Sequence, residues 1–163
     1  MRRIVNALIA ASAWWSAAAN AAEPVSLDFL GGDWTLFDPS GKEAGKSHVD
    51  VQLPGAMIYE RRTDASGELP VWFFNSEAEG GWVQLFPGPA GALREFAPQS
   101  KPGEWPLVLG SDVTLRDGRK AKFRLTLRHA SDNESHRLLE MSTDAGKSWS
   151  PVFDYKYVRA AKR

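Results

Sequence analysis

The sequence predicts an all-β fold, a single antiparallel up-and-down β-barrel of about nine or ten strands. Three observations lead there. Apolar and polar residues alternate with period two in run after run. Turn signals rich in Gly, Pro, Asp and Ser separate those runs. No stretch of convincing length carries the 3.6-residue period of an amphipathic helix. A meandering sheet of this size closes most economically on itself, because closure removes the unpaired edges. A two-sheet β-sandwich is the alternative.

Residues 1–22 are set apart from that domain. Arg2 and Arg3 precede a largely apolar run from Ile4 to Ala19, and Ala19-Asn20-Ala21 has the small-x-small pattern of a cleavage site. This is the order of a secretory signal peptide. Asn6, Ser12 and Ser16 interrupt the run, which is short for a membrane anchor of ~20 residues. No other stretch is long and apolar enough to span a bilayer. The expected mature domain is 23–163, exported to the periplasm or secreted.

The 163 residues hold 20 basic and 20 acidic side chains and no cysteine. Removing residues 1–22 takes away two arginines and no acid, which leaves 18 basic against 20 acidic, net −2. Zero cysteines exclude disulfides, iron–sulfur clusters, cysteine-bound zinc and thiol catalysis. The charge balance argues against a nucleic-acid surface. An exported domain of this size without disulfides relies on its core alone.

In chain order, Leu27 to Phe37 is the expected opening strand. Val49, Val51 and Leu53 alternate with His48, Asp50 and Gln52 in the next. Pro54-Gly55 precedes Met57-Ile58-Tyr59. Ala65-Ser66-Gly67 precedes Val71-Trp72-Phe73-Phe74, and Glu79-Gly80-Gly81 precedes Trp82-Val83-Gln84-Leu85-Phe86. Residues 87–103, rich in Pro and Gly, read as an irregular rim with a short edge strand, Leu93 to Phe96. Trp105 to Leu109 resumes the sheet. Asp117-Gly118 is a strong tight-turn dipeptide between Val113/Leu115 and the one-sided strand of Phe123, Leu125 and Leu127. Leu138 to Met141 and Val152 to Arg159 form the last hairpin around Asp144-Ala145-Gly146.

Phe29-Leu30-x-Gly32-x-Trp34 resembles the opening strand of the calycins, the superfamily of lipocalins, fatty-acid-binding proteins and nitrobindin-like barrels. That resemblance implies that Gly32 lets the chain bend at the barrel base and that Trp34 closes the bottom. It also implies that a basic residue of the last strand stacks over this tryptophan. Arg159 is the candidate, because it shares its parity with Phe153, Tyr155 and Tyr157. The closing segment, Met141 to Arg159, is similar to the end of exported bacterial calycin-like domains that begin with F-L-x-G-x-W, from which no activity carries over. Ser142-x-Asp144-x-Gly146-x-x-Trp149 also fits the Asp-box of sialidase-like propellers. A propeller repeats its blade several times and this chain has one box, so Asp144, Gly146 and Trp149 are expected to organise a single hairpin.

Chemistry is sparse. His48 lies on the polar parity of its strand. His129 has the inward parity of Leu125 and Leu127 and is placed near the barrel mouth, where one imidazole could ligate haem, as in nitrobindin-like barrels. Haem is nonetheless not expected, and neither is a metal site, because no histidine pair has ligand spacing. No G-x-S-x-G motif marks a hydrolase, and no catalytic residue is assigned. Arg61, on the parity of Met57 and Tyr59, and Arg137, on that of Leu139 and Met141, are candidates for an anionic head group. Trp72, Trp82 and Trp105 would suit a flat apolar ligand, or equally a solid core. The expected function is therefore binding of a small hydrophobic or amphipathic molecule in a barrel cavity. The alternative is a structural or protein-interaction barrel with a filled core, with residues 87–103 as the contact region.

Overall fold

A computed structural model describes residues 23–88 and 92–161; the expected signal peptide lies outside the described residues. The strands are β1 (Gly32–Phe37), β2 (Glu43–Leu53), β3 (Met57–Asp64), β4 (Gly67–Ser76), β5 (Gly81–Pro87), β6 (Leu93–Pro98), β7 (Leu107–Thr114), β8 (Lys120–Ser131), β9 (Glu134–Ser142) and β10 (Ser150–Arg159). Each pairs antiparallel with its neighbour in sequence, and β1 pairs antiparallel with β10, which closes a ten-stranded barrel. No helix among the described residues is long and apolar enough to cross a membrane.

Closure also corrects the rim. Leu93 to Phe96 does not form an edge: β6 is hydrogen-bonded to β5 on one side and to β7 on the other. The tight turns follow their local chemistry. At Asp117-Gly118, Leu115 N donates to Arg119 O at 2.8 Å, and Asp117 accepts from Arg119 N at 3.1 Å.

The opening segment departs from the expected single strand. Asp28–Leu30 forms one 3-10 turn, and the strand starts only at Gly32. The turn folds Leu27 and Leu30 over the barrel end, where both are fully buried. Trp34 Nε1 then donates to Leu30 O at 2.6 Å, and Trp82 Nε1 to Val25 O at 2.6 Å. Two indoles thus tie the N-terminal segment down as a plug. Gly32 has φ +114°, and a Cβ there would stand 2.9 Å from Arg159 Nη1, so the bend beside the plug requires glycine.

Arg159 completes this end. It faces Trp34 across the β1–β10 ladder, and its guanidinium lies 4.3 Å from the indole centroid. Its nitrogens donate to three main-chain carbonyls: Gly31 (2.7 Å), Phe29 (2.5 Å) and Asp132 (2.9 Å). The core continues upward through Leu36, Phe73, Leu109, Leu127 and Tyr157. At the other end, Ser142 Oγ and Asp144 hold the last hairpin: Gly146 N donates to Ser142 Oγ at 2.8 Å and Ser148 N to Asp144 Oδ1 at 2.9 Å. Arg124 covers the Trp149 ring at 4.3 Å while pairing with Glu140. The Ser148 hydroxyl, its backbone N–H and Ser142 hold the Asp144 carboxyl well below the usual carboxylate range.

Candidate functional site

Alternation along β3 turns Ile58, Glu60, Arg62 and Asp64 inward and leaves Tyr59 and Arg61 outside. This places three charged groups inside the barrel. Glu60 is opposite Val49 and Val71, and Arg62 is opposite Ser47 and Leu69. Glu60 and Arg137 form a buried ion pair, their side chains 1% and 3% exposed. Ser47 Oγ donates to the other Glu60 oxygen at 2.6 Å. The Arg137 guanidinium also lies over the Tyr157 ring at 4.2 Å.

Burial alone would push the Glu60 carboxyl up. Arg137, the Ser47 hydroxyl and Arg62 outweigh it and hold the group below the ordinary range. Burial likewise opposes charge on Arg137, and Glu60 more than restores it. Burial pushes the Tyr157 phenol up to about 12, against the opposing influence of Arg137, so it is neutral at any ordinary pH.

One layer higher the barrel is hollow. A cavity of about 310 Å3 opens at the mouth beside the β3–β4 turn. Leu69, Phe86, Phe96, Leu125, Leu139 and Phe153 wall it. Its polar groups are Arg62, Asp64 and Gln84, with Tyr155 at the rim. Arg62 Nε stands 3.3 Å from Asp64 Oδ2, and the two side chains are 9% and 7% exposed. The guanidinium rests over the Phe153 ring at 4.6 Å. Arg62 Nε and Gln84 Oε1 are buried without a hydrogen-bond partner. Arg62 Nε is met by the Asp64 carboxylate as an ion pair, whereas no hydrogen bond holds the Gln84 oxygen, and an unmet buried polar group costs free energy; both residues line the apolar-walled space.

The residues expected to bind ligand do not converge on this cavity. Arg61 projects outward and is exposed. Trp72 is also on the outer face, packed on Tyr59 with ring centroids 5.2 Å apart. Trp82 is inside but belongs to the plugged end. Trp105 precedes β7 at that same end and is 37% exposed, 5.9 Å from Phe29. His129 is exposed at the end of β8 and sits at the plug, not the mouth, its ring tilted against Phe29 with centroids 3.9 Å apart. The β8–β9 register shifts just beyond it, which carries the chain off the barrel there. Arg137 is inside, yet Glu60 occupies it.

The misplacement of Arg61 has a specific cause. Met57-Ile58-Tyr59 are three consecutive apolar residues, so the inward parity of β3 cannot be told from them. The outer face of β3–β5 is itself apolar: Met57, Phe74 and Val83 align in register, as do Tyr59, Trp72 and Leu85. Glu60 and Arg62 are inward although they are polar, and nothing local in Glu60-Arg61-Arg62 announces it. Nor does any Asp or Glu lie in an apolar run of the sequence, yet Glu60 is fully buried. Gln84 did carry a signal, as the single polar residue within Trp82-Val83-Gln84-Leu85-Phe86.

No protein-family model matches the chain, and no curated protein sequence matches it.

Proposed function

We propose that the protein is an exported calycin-like barrel that holds a small amphipathic molecule in its mouth cavity. The apolar body packs against Phe86, Phe96, Leu125, Leu139 and Phe153, and the polar end meets Arg62 and Gln84. The observation that carries this reading is the apolar-walled cavity at the barrel mouth that Arg62 and Gln84 line, the Gln84 oxygen having no hydrogen-bond partner. A pocket with apolar walls and a few placed polar groups is the usual design of a ligand site, and about 310 Å3 is at the small end of that class. The calycin assignment rests on Gly32-x-Trp34, on the Arg159 cover over Trp34 and on the closed ten-stranded barrel. The order of residues 1–22 supports export. N-terminal sequencing of the periplasmic or extracellular fraction is expected to start near Glu23; a chain still beginning at Met1 would overturn export.

A second reading, an interaction barrel without ligand, is favoured by the apolar outer strip of Met57, Tyr59, Trp72, Phe74 and Leu85. Native mass spectrometry of protein purified from its own host separates the two. A small-molecule adduct is expected on the wild type, and it should be lost in Leu139→Trp, whose indole fills the cavity. A bare polypeptide mass, together with no binding of naphthalene as an apolar probe, would select the second reading.

A further inference from the structure

The proposed cavity ligand can be narrowed by charge and hydrogen-bond balance, an argument that rests on the ligand-binding reading above. Four ionised side chains lie within the barrel near the cavity: Glu60 with Arg137, and Arg62 with Asp64. All four are at least nine-tenths buried, and their charges cancel pairwise. A carboxylate entering the cavity would compete with Asp64 for Arg62 and leave one largely buried anion without its cation. An ammonium would compete with Arg62 for Asp64 with the same result. Arg94, over Phe123 at 5.6 Å, does not line the cavity. Charge balance therefore favours a neutral ligand.

The hydrogen-bonding groups narrow it further. Arg62 offers only donors. The Gln84 carboxamide carries a donor edge and an acceptor edge, and no protein hydrogen bond orients it among the described residues. Its own chain neighbours Val83 and Leu85 lie on the outer face, and its cross-strand partners are Phe73 and Phe96, none of which has a polar side chain. A hydrocarbon would leave this set unmet, whereas a head group that both accepts and donates would meet it. A carbonyl oxygen would accept from Arg62, and an adjoining N–H would be met by the Gln84 oxygen once the amide turns. Four aromatic rings, those of Phe86, Phe96, Phe153 and Tyr155, border the same space and suit a flat body.

We infer that the cavity selects a neutral, flat ligand whose head group both accepts and donates hydrogen bonds, as a carboxamide does, with Gln84 as its specificity-determining residue. The test uses three probes that share one apolar body: naphthalene-2-carboxamide, naphthalene-2-carboxylate and naphthalene. Isothermal titration at neutral pH is expected to show the amide binding about tenfold or more tighter than the carboxylate, since one charge-free head group completes the site and the other unbalances it. Gln84→Leu should lower amide affinity about tenfold and leave naphthalene affinity within about twofold. That variant also removes a buried unpartnered polar group, so folding is not expected to suffer. Carboxylate binding as tight as amide, or an amide affinity unmoved by Gln84→Leu, would overturn the head-group assignment while leaving ligand binding intact. No binding of any of the three probes would overturn both.

Discussion

Glu60→Gln is expected to destabilise the barrel by ~3–5 kcal/mol, the usual cost of stripping one partner from a buried ion pair. The variant keeps the shape and one hydrogen-bonding oxygen. It leaves Arg137, 3% exposed, with no anion within contact distance among the described residues. The pH dependence follows from the direction of the Glu60 shift. Its carboxyl is held below the ordinary value in the folded barrel, against about 4.3 in an unfolded chain. Its contribution is therefore fully present above about pH 4.3, and it is lost as the pH falls through the folded value. Urea unfolding across pH 3–7 should show the wild type and Glu60→Gln converging in acid. A gap of constant size over that range would mean that Glu60 is not an ionised partner of Arg137. Replacing both, as in Glu60→Leu with Arg137→Met, should cost less than either single change, because no orphaned charge remains.

Trp34→Ala should cost a comparable ~3–5 kcal/mol by emptying a large core site. The effect concerns more than volume. Trp34 is the floor on which the plug rests, through its bond to Leu30 O, and the face that Arg159 covers. Arg159→Ala should cost about 2–3 kcal/mol, because it removes that cover and leaves the carbonyls of Phe29, Gly31 and Asp132 without their donor. The two losses should not add, since removing the indole leaves the guanidinium without its ring and loosens the carbonyls that it bonds. A double-mutant cycle in urea measures the coupling. Additivity within about 0.5 kcal/mol would show that the closing contact between the first and last strands carries no energy of its own.

The uneven success of the sequence has a physical origin. Where a strand is apolar on one side and charged on the other, as in Phe123/Leu125/Leu127 against Lys122/Arg124/Arg128, parity reveals the inward face directly. The same holds for Tyr157 and Arg159. Strand β3 resists that reading. Its outer face is partly apolar, and its inner face holds Glu60, Arg62 and Asp64, whose burial is tolerable only because Arg137, Ser47 and each other compensate it. Those partners come from β2 and β9. Arg137 is 77 residues from Glu60 in the chain, so no window of sequence contains the pair.

The sequence by itself determined the strand content, the tight turns and the inward face of the later strands, and its resemblance to the calycins implied the alignment of Trp34 with Arg159. Each depends on a local period or on a motif at one chain end. The tertiary structure alone decided which end of the barrel is plugged and which is hollow, that Trp105 and His129 belong to the plug, and that Arg62 and Gln84 rather than Arg61 and Trp72 face the cavity. The reason is register. Beta pairing converts a one-residue step into a change of face, and the register shifts in β2 between Val51 and Leu53 and at the end of β8.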